Sequence, residues 1–110
     1  VDSLKALGPV YTPYDVGPVL RKQGLEGLLR ATILPAIRKH DLPPDEWARF
    51  WILVDREGRV VATVDHLTSG HAAFDDAARI VAESLRYRPA VRDDEFVPVW
   101  ILARISLLMA

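Results

Sequence analysis

The chain predicts an α+β domain, with two helices packed on one face of a small, three-stranded antiparallel sheet. Three observations carry this. Apolar residues recur at helical spacing in two separate stretches. Three other stretches alternate at period two and are rich in Val, Ile and Trp. The order of the five is helix, strand, strand, helix, strand. With 110 residues, half of them apolar, the chain can bury a single core, and helices on one sheet face are an economical way to build it.

Residues 1–24 show little periodicity and hold Pro9, Pro13 and Pro18 among three glycines. They predict an extended lead-in with one short strand at Val19 to Arg21, because proline removes a ladder donor and biases its predecessor toward extended backbone. Residues 25–110 form the domain proper. Leu25, Leu28, Leu29, Ile33, Ala36 and Ile37 fall on one helical face, and Arg38, Lys39 and His40 stand where the macrodipole favours cations. Pro35 predicts a kink within this helix, and Asp41 to Pro44 ends it.

Trp47 to Val54 reads as a strand, Asp55-Arg56-Glu57-Gly58 as its turn, and Arg59 to Leu67 as the returning strand of a hairpin. Thr68-Ser69-Gly70-His71 breaks that strand and opens the second helix, whose apolar stripe is Phe74, Ala77, Ala78, Val81, Ala82 and Leu85. Phe96 to Leu107 alternates throughout and predicts one long last strand. Val97, Val99 and Ile101 share one of its faces, and Trp100, Leu102 and Arg104 share the other. Pro98 places the start of this strand at an edge.

The balance of 14 basic against 15 acidic side chains argues against nucleic acid as a partner, because phosphate binding needs a cationic surplus. No apolar run approaches the ~20 residues that span a bilayer. Cysteine is absent, so disulfides and thiolate metal sites are excluded. His66 and His71 lie near Asp65, Asp75 and Asp76, but without a recurring ligand spacing they predict a helix-start and a surface imidazole, and no metal or other cofactor. Ser69 belongs to a turn, and G-x-S-x-G is missing. No catalytic residue is expected; a small hydrolase built on His66 and His71 is the alternative of a different class.

The unusual feature is the aromatic and aliphatic content of the presumed outer sheet face, namely Trp51, Leu53, Trp100 and Leu102. Such a patch marks a partner surface unless the segment Tyr11 to Val19 folds over it. The open edge of the last strand offers a second route to a partner, since an extended peptide can add to it through main-chain hydrogen bonds.

Five blocks in order resemble the C-terminal domain of the TonB energy-transducer family: Val54-Asp55-Arg56-Glu57-Gly58-Arg59-Val60-Val61, Thr68-Ser69-Gly70-His71, Phe74-Asp75-x-Ala77-Ala78, Tyr87-Arg88-Pro89-Ala90 and Val97-Pro98-Val99-Trp100. The likeness covers Val54 to Leu107 and reaches back toward Tyr11 to Val16. It departs from the family at Leu34-Pro35, where Tyr-Pro is usual, at Pro43-Pro44-Asp45-Glu46, where a glycine opens the first strand, and at Leu85. The resemblance implies a non-enzymatic periplasmic domain whose parent chain is anchored in the inner membrane by an upstream helix. It implies capture of the extended TonB-box segment of outer-membrane transporters beside the last strand, coupling proton-motive force to import. The partner-binding residues it implies are Val97, Val99, Trp100, Ile101, Leu102 and Arg104, together with Trp51 and Leu53. A TonB-like interaction module with no transport role, pairing with another periplasmic protein or with itself as a homodimer through the same strand edges, is the alternative.

Overall fold

The structure, a computed structural model, describes residues 8–110. The first seven residues of the expected lead-in lie outside the described residues. In the rest of it, β1 (Val19–Leu20) pairs antiparallel with β4 (Tyr87–Arg88), close to the position expected for a short strand. Nearer the N-terminus, Val16 bridges Val91 and the Asp15 carboxylate accepts a hydrogen bond from the Asp93 N–H at 2.8 Å. The lead-in is thus tied to the segment after the second helix.

Helix α1 (Leu25–His40) buries Leu25, Leu29, Ile33 and Ile37 and runs unbroken through Pro35. Pro35 faces solvent, where water can satisfy the carbonyl that the proline ring leaves without a donor. Asp41 then turns left-handed (φ 51°), and the Leu42 N–H bonds back to the Ile37 carbonyl, which closes the helix end. Helix α2 (Ala72–Ser84) buries Phe74, Ala77, Ala78, Val81 and Ala82. It lies against the sheet, and α1 packs beside it.

The main sheet is three-stranded and antiparallel, with β2 (Trp47–Val54) between β3 (Val60–Leu67) and β7 (Val99–Ser106). Its inner face places Ala48, Phe50, Ile52 and Val54 in one core with Val99, Ala103 and Ile105 and the buried stripes of both helices. The fold is therefore α+β with antiparallel sheets, as the periodicities predict, but the described residues form seven strands where the three of the sheet and one short lead-in strand were expected. The extra strands form two short ribbons, β1 with β4 and β5 (Ala90–Arg92) with β6 (Glu95–Val97).

One expectation is corrected. The last strand does not run continuously from Phe96 to Leu107. Pro98 separates β6, which pairs with β5, from β7, which pairs with β2. Proline cannot donate to a ladder, so the chain changes partners there. Asp93 and Asp94, both at positive φ (52° and 63°), form the two-residue loop that closes the β5–β6 hairpin.

Candidate functional site

The site begins with the edge of the sheet. β7 is paired on one side only, to β2, over eight consecutive residue partners from Val54↔Val99 to Trp47↔Ser106 with no register shift. Among the described residues no strand pairs with its other side. Backbone groups alternate in direction along an antiparallel strand, so about four residues of this edge direct N–H and C=O outward. That row can hydrogen-bond an added extended segment.

The predicted residues divide along this edge. Ile101 and Leu102 lie mid-strand opposite Ile52 and Trp51, Leu102 is 42% exposed, and Arg104 is exposed opposite Arg49. Val99 turns into the core and contributes only its backbone to the edge. Val97 lies on β6 and pairs with Ala90, so it stands beyond the partner change at Pro98.

The outer-face patch is smaller than the alternation suggests. Leu53 and Trp100 are direct cross-strand partners and are withdrawn from solvent, at 0% and 6% exposure. As direct cross-strand partners they have Cβ atoms about 5 Å apart. The Trp100 indole Nε1 is buried without a hydrogen-bond partner among the described residues. Trp51 and Leu102 remain partly accessible. In the segment Tyr11 to Val19, the alternative cover for this face, Val16 pairs with Val91 and Val19 with Arg88. Tyr11 is almost wholly exposed.

Beside Trp51 the structure assembles a group that the sequence patterns left scattered. Arg49 and Arg104 face each other across β2 and β7, and both guanidiniums lie over the Trp47 ring, at 6.0 and 4.8 Å from its centroid. The Arg49 Nε–H donates to His66 Nδ1 at 3.1 Å, and the His66 ring meets Trp51 edge-on at 6.0 Å. Period-two alternation puts Trp47, Arg49 and Trp51 on one face, and Arg104 on the matching face of the last strand. What was missing was the register that sets Arg49 against Arg104.

The motif residues between the strands hold the fold. The Asp55 carboxylate accepts from the N–H groups of Glu57 and Arg59, both at 2.9 Å, and so forms the turn. Gly58 sits at φ 81°, and its carbonyl receives the Tyr87 N–H at 2.8 Å. In the loop before α2, the Asp75 carboxylate accepts from the hydroxyl of Thr68 and from the N–H and hydroxyl of Ser69. Burial pushes its pKa up, but these hydrogen bonds and the Arg79 charge outweigh that and hold Asp75 below the usual carboxylate value. His71 contacts the Glu46 carboxylate through Nε2 at 3.2 Å, whereas His66 contacts Arg49. The two histidines thus have separate partners, and the Ser69 hydroxyl meets the His71 backbone carbonyl (3.2 Å). Among the described residues no group of three or more His, Asp or Glu could hold a metal ion. No helix of the described chain is long and apolar enough to cross a membrane.

No protein-family model matches the chain, and no curated protein matches it significantly.

Proposed function

We propose that this domain is a TonB-like peptide-capture module that takes up an extended segment by strand addition at β7. The observation that carries the proposal is the unshifted, unpartnered edge of β7. The five sequence blocks of TonB type support the same function, and they give a periplasmic setting, a membrane anchor upstream in the parent chain, and the TonB box of an outer-membrane transporter as the captured segment. Main-chain bonds from Val99 to Ser106 supply the affinity. The side chains of Leu102 and Arg104, with Trp51 on the adjoining strand, set selectivity. A short added strand makes few hydrogen bonds, each worth a net ~0.5–1.5 kcal/mol, so capture is weak and reversible.

Titration of the isotope-labelled domain with TonB-box-like peptides tests this directly. Amide shifts concentrated in Val99–Ser106 are expected. Silence of that strand at millimolar peptide removes the proposal. If the same amides respond instead to protein concentration, with a rise in mass, the edge serves the self-pairing alternative.

A further inference from the structure

The net charge of the chain is −1, yet the outer face of the three-stranded sheet holds two arginines and no carboxylate. Asp65, the acidic residue within these strands, belongs to the opposite face, where it pairs with Arg79 of α2 at 2.6 Å. Arg49 and Arg104 are placed directly across from each other, an arrangement that destabilises a sheet when both charges are alike. Neither guanidinium forms an ion pair among the described residues. Both lie over one indole, and stacking on an aromatic ring leaves in-plane N–H donors of a guanidinium available, for Arg49 those of its terminal nitrogens, since its Nε–H is taken by His66. Arg104 stands on the very strand whose edge is open.

We infer that the Arg49–Trp47–Arg104 cluster is a carboxylate site that makes the β7 edge selective for an acidic extended segment over a second copy of this chain. The inference rests on strand addition at β7. A strand added there continues the outer face, and its side chain beside Arg104 comes within reach of the guanidinium. A Glu or Asp at that position completes an ion pair that the sheet lacks. The period-two repeat places the next side chain of the same face near Leu102, where an apolar residue fits. A copy of this chain pairing antiparallel at the same edge continues the same face with two more guanidiniums and no carboxylate. The cluster thus attracts one class of partner and repels the other.

The test uses designed seven-residue peptides of alternating Thr and Val, with a single Glu moved through each position in turn and a Gln control at each. Binding is read from the β7 amides in wild-type protein and in Arg104→Gln and Arg49→Gln. At one register the Glu peptide is expected to bind roughly five- to tenfold more tightly than its Gln control, a preference that Arg104→Gln abolishes and added salt erodes. Arg104→Gln is also expected to increase self-association by sedimentation. Equal binding of Glu and Gln peptides at every register overturns the inference and leaves strand addition standing. A preference for Glu that survives both substitutions overturns it as well, since the acid is then read elsewhere. Failure of every peptide to move the β7 amides overturns this inference and strand addition together.

Discussion

The two outer strands of the sheet flank the same central strand, yet their edges are built differently. β3 carries two register shifts against β2, one between Arg49 and Phe50 and one between Leu53 and Val54, so His66 and Val61 are extra residues on its side. It also has Asp65 on the inner face, tied to Arg79, and it is held at both ends. Its first end docks through Gly58 on Tyr87, and its last end leads into the loop that Asp75 gathers. β7 has none of these devices: its pairing with β2 is unshifted over eight partners, and its charged residue is Arg104. Bulges and inward charges are the usual protection of an edge against further pairing. One edge strand is irregular in its pairing, and the other is regular.

The largest effect follows from breaking the start of β3. Gly58 adopts φ 81°, and a Cβ there would sit 1.8 Å from the Tyr87 carbonyl oxygen. Gly58→Ala is therefore both strained in its backbone and blocked by backbone that cannot give way. A loss of ~3–5 kcal/mol in unfolding free energy is expected, measured by denaturant titration. An effect below about 1 kcal/mol would mean that the turn does not anchor this side of the sheet.

The second test compares the two edges at one level of the sheet. Trp51 has Val64 as its partner on β3 and Leu102 as its partner on β7, and the two are similarly exposed, at 39% and 42%. Val64→Glu and Leu102→Glu should therefore change stability by similar amounts, within about 1 kcal/mol of wild type. Their effects on peptide capture should differ. Leu102→Glu removes an apolar contact and sets a negative charge beside the incoming strand, which should weaken binding roughly tenfold. Val64→Glu should leave it within about twofold. Equal weakening by both variants would show that the peptide does not choose between the edges.

How much of this was legible in the chain follows the range of the interactions involved. Helix α1, strand β2 and the β2–β3 hairpin are set by local periodicity and by Asp55 and Gly58, and the residues announce them. The inner face of β2 follows from alternation for the same reason. The division at Pro98 was signalled by the proline, but its consequence was not, because the pairing of β6 with β5 depends on the left-handed loop at Asp93 and Asp94. Asp enters that region more readily than most non-glycine residues, but nothing in the residue requires it. The burial of Leu53 and Trp100 and the meeting of Arg49 with Arg104 depend on register between strands far apart in sequence. Alternation fixes which face a side chain occupies, and leaves open which residue stands across from it.

The last and smallest effect concerns the far end of β3. Asp75 links the hydroxyls of Thr68 and Ser69 and the Ser69 N–H to the first turn of α2, and its carboxyl is held below its ordinary value of 3.8. A depressed pKa in the folded state means that the ionised form stabilises the fold. That contribution is complete above the unfolded value and is lost as pH falls through the lower folded value. Asp75→Asn keeps the shape of the side chain but presents one carbonyl acceptor where the carboxylate has two charged oxygens. It should cost about 1 kcal/mol at neutral pH, less than Gly58→Ala because the partners can turn to water. Followed by denaturant titration from pH 7 downward, the gap between variant and wild type should stay constant to about pH 4. Below that it should narrow as the wild-type carboxyl takes up its proton. A gap that is independent of pH throughout would assign the role of Asp75 to the shape of the loop and not to its charge. Peptide capture at β7 should be unchanged in either case, since the Asp75 loop joins β3 to α2 and leaves the other edge untouched.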